Sequence, residues 1–124
     1  MKEKLSVYPL PLSKKLYNHH AGKINDTEDF NSAVTRGDVL FYHATLEAAI
    51  DHFLQALFAL NQCFFPSRKR SIQYIDIFIH KPINCSEQLL KTIELGAKLE
   101  TLIESYGIWS QLCEELSNIA NVKL

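Results

Sequence analysis

The feature that most constrains this chain is a stretch of 15 residues, Phe53 to Ser67, without a single charged side chain. Its first half, Phe53-Leu-Gln-Ala-Leu-Phe-Ala-Leu60, is apolar almost all round at helical spacing. A helix without a polar face has to be surrounded by other elements. A bilayer is not that surrounding, because spanning one takes about 20 apolar residues. Upstream, His43, Glu47, Asp51 and Gln55 recur every fourth position as one polar stripe with apolar residues elsewhere. The spacing therefore predicts one long central helix from Asp38 to about Cys63, packed inside a bundle.

Size and charge limit what that bundle can be. With 124 residues, the chain folds to roughly 6,800 Å² of surface from about 20,600 Å² extended, which allows one core and no second. The expectation is a single helical domain over residues 1–124, with 1–11 as an extended N-terminal segment. Thirteen basic against 14 acidic side chains, a net charge of −1, exclude nucleic-acid binding by bulk basicity. Any phosphate contact must be local. Cys63, Cys85 and Cys113 match neither a disulfide framework nor a zinc pair, and read as reduced, buried thiols. The start MKEKLSVYPLPL holds no apolar signal core. A cytoplasmic, membrane-free chain is expected.

Around the central helix the pattern predicts an up-and-down, all-α bundle of five or six helices. A first, weakly amphipathic helix covers residues 12–23, with Leu12, Leu16, Tyr17 and Ala21 inward. Asp26 and Thr27 precede Phe30, Ala33 and Val34 as an N-cap does, and Gly37 breaks that second helix. Ser67 is placed to cap a fourth helix over residues 68–80, with Ile72, Ile75, Phe78 and Ile79 inward. The run Ile75-Asp-Ile-Phe-Ile79 has strand composition, but no partner strand is visible, so helix is expected. Pro82 stops it, Ser86 caps residues 87–95, and Gly96 closes that helix. In the last segment Leu99, Leu102, Tyr106, Trp109, Cys113, Leu116 and Ala120 alternate steps of three and four, the seam of a helix packed along a partner.

Few residues suggest chemistry. Arg68, Lys69 and Arg70 fall in the expected first turn of the fourth helix, where the macrodipole is positive and each cation costs about 0.3–1 kcal/mol. An anion would offset that cost, with free N–H groups and cationic side chains making a phosphate site. The alternative is that Arg68 and Arg70 pair with Glu47, Asp51 or an acid of the last helix. His43 and Glu47 stand four apart, as two metal ligands do, but without a third. His19 and His20 diverge by about 100° on a helix, and His52 and His80 have no recognisable partner. No Gly-rich phosphate loop, nucleophile elbow or HExxH occurs.

The stretch Arg36-Gly-Asp38, then Leu57-Phe-Ala-Leu-Asn61, Phe64-Phe-Pro66 and Lys69-Arg70, with Tyr8-Pro9 ahead of it, resembles the helical C-terminal region of nucleotidyltransferase-fold proteins of the kanamycin-nucleotidyltransferase kind. The likeness covers about residues 8–80. It implies the helical, substrate-binding half of such a protein, lacking the catalytic sheet with its Gly-Ser pair and metal-binding carboxylates. Asp38, Asn61, Lys69 and Arg70 would then contact a nucleotide or phosphorylated small molecule. Mg2+ and the nucleotide would enter only through a nucleotidyltransferase catalytic partner, with no cofactor in this chain. For Asn61 a helix cap is the alternative role.

Two other readings stand beside it. In one, the chain is a homodimeric interaction module that buries the seam from Leu99 to Ala120 and the apolar surplus of the central helix. In the other, it resembles the HEPN helical domains, whose ribonuclease members use an Arg followed by a His a turn or two later. Arg36 and His43 are seven apart, within about 20° of one face if a single helix carries both.

Overall fold

The computed structural model describes residues 8–124. Among them are six α-helices and no strand: α1 (Leu10–Ala21), α2 (Thr27–Arg36), α3 (Val39–Leu60), α4 (Ser71–Ile77), α5 (Cys85–Leu95) and α6 (Leu102–Lys123), with a 3₁₀ turn at Leu99–Thr101. The expected all-α bundle around a long central helix is what forms. None of these helices is long and apolar enough to cross a membrane.

Helix α3 is that centre. Its second half buries Phe53, Leu54 and every residue from Ala56 to Leu60, as the absence of a polar face demands. Helix α1 covers it most extensively, with α2 and α6 on other sides, while α5 packs chiefly on α6. The aromatic centre is Phe30, Tyr42, Phe53 and Trp109, all fully buried. Trp109 and Phe53 stand 5.2 Å apart. Buried polar atoms are paired, as they must be in a dry core. Ser13 Oγ donates to the Ala59 carbonyl, and Trp109 Nε1 donates to Ile24 O at 2.8 Å. Ser105 Oγ donates to Thr92 O at 2.7 Å. Its proton is thereby committed, so the 2.6 Å contact with Tyr42 is donated by the Tyr42 hydroxyl.

Helix starts follow local chemistry where a side chain can cap. Asp26 accepts from Asp29 N at 3.0 Å, and Asp38 accepts from Phe41 N at 3.1 Å, each satisfying an orphan donor. Between α2 and α3, Gly37 adopts φ +64°. A Cβ there would stand 2.7 Å from Leu99 Cδ1.

Several boundaries differ from expectation. Helix α1 begins at Leu10, so Leu10 and Pro11 are helical, not extended. A proline in the first turn gives up no intrahelical bond. Residues 1–7 of the expected extended segment lie outside the described residues. Helix α4 starts at Ser71, three residues later than expected. Ser67 Oγ accepts from Lys69 N at 3.2 Å, making a tight turn in place of a cap, and Arg70 then takes a left-handed φ of 63°. The helix ends at Ile77 because Phe78 is extended. Ile75 is buried as expected, but Ile79 has left the helical register and is 86% exposed. Ser86 caps nothing: α5 starts at Cys85 behind a left-handed Asn84, and Ser86 Oγ donates to Asp76 at 2.7 Å. Gly96 closes α5. Along α6 the seam residues Leu102, Trp109, Cys113, Leu116 and Ala120 are buried, whereas Leu99, outside the helix proper, is 61% exposed.

Gly37→Ala tests the α2–α3 junction. A left-handed alanine costs about 1–2 kcal/mol, while the contact with Leu99 is relieved by moving the end of a flexible, mostly exposed side chain. A drop of about that size in urea unfolding free energy is expected, and an unchanged midpoint would contradict the left-handed backbone at Gly37.

Candidate functional site

The cationic triplet is the first place to look, and it lies in the turn ahead of α4, not in a helix. Arg68 folds back over the polar stripe of α3. Its Nε donates to Asp51 Oδ1 at 2.7 Å, one terminal nitrogen to Glu47 Oε1 at 2.5 Å, and the other to Glu47 O at 2.7 Å. The guanidinium fork is thereby filled by two carboxylates and a carbonyl, a pattern its fixed donor geometry favours. Glu47 is shared with His43 at 3.6 Å. Arg68, one of the expected phosphate ligands, thus anchors its loop to α3. Lys69 and Arg70 are exposed, and among the described residues no carboxylate lies within ion-pair distance of either.

The other residues suggested by the resemblance are also engaged. Asp38 caps α3. Asn61 ends α3 and clamps the loop beyond α4: its Nδ2 donates to His80 O at 2.8 Å and to Leu57 O at 2.9 Å, while His80 N donates to its Oδ1 at 3.0 Å. That is the two-bond pairing a neighbouring strand would offer, supplied by one amide. Arg36 ends α2 and His43 lies on α3, with the left-handed Gly37 between them. The single-helix face that the ribonuclease reading requires is therefore not present.

His52 has a partner that its sequence position does not announce. Its Nδ1 is 3.0 Å from His20 Nδ1 of α1. His20 lines a cavity of about 170 Å³ together with Tyr8, Gln55, Cys63 and Phe64. A thiol, an imidazole and an amide in one cavity suggest nucleophilic chemistry, but the described hydrogen bonds do not join them. Cys63 Sγ faces its neighbour's carbonyl, Phe64 O, at 3.7 Å, and burial pushes its thiol pKa up, away from the reactive thiolate. Burial likewise pushes Cys85 and Cys113 up to about 12. All three thiols are free.

Apolar surface is the remaining candidate. The seam of α6 is spent inside the domain, which corrects the expectation that it would pair with a second copy. Exposed aliphatics such as Leu40, Ile103 and Val122 occur on several helices, and four belong to α4, α5 and the loop between them: Ile77 is 76% exposed, Ile79 86%, Ile83 79% and Leu90 54%. The Ser86–Asp76 hydrogen bond fixes the start of α5 beside the end of α4. Leu90 and Ile93 follow Ser86 by four and seven residues, so they extend one stripe up the same flank of α5. Scattered exposed hydrophobics are ordinary, whereas a contiguous row is a candidate contact surface.

No protein-family model, no curated protein and no solved structure matches this chain.

Removing the Arg68 side chain leaves Glu47 and Asp51 as facing like charges. Pairs this exposed contribute about 0.2–1 kcal/mol each, so Arg68→Ala should lose about 1 kcal/mol in urea unfolding at low salt. The difference should shrink in 1 M salt, where charges are screened beyond about 3 Å. Equal losses at both salt concentrations would mean that packing of the arginine stem, not charge, holds the loop.

Proposed function

We propose that this chain is a non-catalytic helical interaction domain whose contact surface is the aliphatic stripe at the α4–α5 corner, covered by a second copy of the chain. The exposure of Ile77, Ile79 and Ile83 on α4 and in the loop after it, with Leu90 on α5, carries this reading. Full burial of such a side chain gains about 1.5–3 kcal/mol, and association costs about 4–15 kcal/mol. The stripe alone is therefore marginal and needs its rim. On α5 the exposed Glu87, Lys91 and Glu94 flank Leu90 and Ile93. A rim carrying both signs is self-complementary across a two-fold axis, because the same patch is presented by both copies.

A second reading rests on Lys69 and Arg70, together with the resemblance of residues 8–80. In it the chain is the helical half of a nucleotidyltransferase-like protein. A catalytic partner domain supplies metal and nucleotide, while these two side chains hold phosphate charge. It predicts no nucleotidyl transfer by the chain alone.

Sedimentation from low to high micromolar concentration separates the two. The first reading expects a reversible dimer, reduced to monomer by the exposed pair Ile79→Asp and Ile83→Asp without loss of helical signal. A monomer at every concentration rejects it. The second reading then stands only if titrating inorganic phosphate moves the NMR amides of residues 67–71.

A further inference from the structure

The imidazoles of His20 and His52 are arranged in a way that no feature of the proposed contact surface explains. Their Nδ1 atoms are 3.0 Å apart and their ring centres 5.2 Å, with 36° between the planes. That centre separation nearly reaches the nitrogen gap plus the two ring radii, the most it can be, so the nitrogens face one another head-on. Two histidines that chelate a metal aim their lone pairs at a third point. Here the line from ring to ring is the line of a hydrogen bond.

A head-on contact restricts the protons it can hold. One ring must carry hydrogen on Nδ1 and the other must not. With both rings neutral this is met by opposite tautomers. One added proton enters at the far nitrogen of the donor ring and leaves the bond in place, strengthened by charge. A second added proton sets N–H against N–H, and cation against cation, at the same 3.0 Å.

We infer that His20 and His52 form a proton-operated latch between α1 and α3, closed while the two rings together carry at most one positive charge and opened by the second proton. Its place in the fold gives the opening a consequence. His20 lines the cavity shared with Tyr8, Gln55 and Cys63, and His52 lines a groove of about 580 Å³ between the α1–α2 connection and α3. Each ring lines one of the two spaces, and separating the rings loosens the most extensive helix contact of the domain.

The surrounding charges oppose the second proton on one side and attract it on the other. On α1, His19 lies edge-on to His20 with ring centres 4.8 Å apart, and Lys23 follows in the connection. Burial first, then His19, His52 and Lys23, lower the pKa of His20. From α2 and its cap, Asp26, Glu28 and Asp29 line the groove beside His52. On the cavity side Tyr8 and Cys63 are both pushed up by burial and add no charge. A base whose pKa is lowered on folding stabilises the fold fully above its unfolded value, here 6.5, and loses that contribution as pH falls below it.

The test is a histidine-detected NMR titration of the full chain from about pH 8 to pH 4.5, the range in which imidazoles gain charge. His20 and His52 should titrate in two separated steps. The lower step should be accompanied by shifts and faster exchange of amides on α1, Ser13 and Tyr17 among them. The thermal midpoint of His52→Gln, which keeps a hydrogen-bonding side chain but cannot take a charge, should fall less over the same range than that of the wild type. Single independent steps for His20 and His52, with α1 amides unmoved, would overturn the latch. So would a variant whose midpoint follows the wild type throughout.

Discussion

Covering α3 is the requirement on which the rest of this domain depends. From Phe53 to Leu60 only Gln55 is not fully buried, and each large side chain removed from water contributes about 1.5–3 kcal/mol. No single neighbour can enclose a helix on all sides. The chain answers with α1 along one side, α2 and α6 on others, and the loop beyond α4 folded back onto its C-terminal end by Asn61. Ala56 and Ala59 in that stretch have little side chain to hold neighbours away. Ser13 is thereby close enough to reach a carbonyl of the central helix.

The same requirement determines where charge goes. The first half of α3 has an outward stripe, and its acids would be uncompensated without Arg68, which arrives from 21 residues beyond Glu47. A local cation cluster that looks available for a ligand is thereby partly consumed by the fold. What remains at the surface is of a different kind. Ile79 stands outside because α4 is only seven residues long and stops before it can turn inward. The functional reading shifts accordingly, from phosphate recognition toward contact with another protein surface.

Legibility in the sequence followed the range of the interaction. Helical class, the central position of α3, the cap at Asp26, the break at Gly37 and the apolar seam of α6 were all readable, because each depends on residues within a turn or two of one another. The misreadings fall where two local solutions compete. Ser67 can cap a helix or close a tight turn, and the left-handed Arg70 resolved it toward the turn. Ser86 can cap α5 or bond Asp76, and the approach of α4 decided for Asp76. Arg36 and His43 have helical spacing but sit on either side of a left-handed glycine.

By itself, then, the sequence determined the periodic features: which segments are helical, which faces are apolar, and which helix must be innermost. Those follow from side-chain spacing and from backbone groups satisfied within one segment. Only the tertiary structure decided the pairings between segments, such as His20 with His52, Arg68 with Glu47 and Asp51, and Asn61 with His80. Each joins residues 17 to 32 positions apart, and their meeting depends on the angle and offset at which helices pack. Those quantities are set by the whole core at once, and no local pattern encodes them.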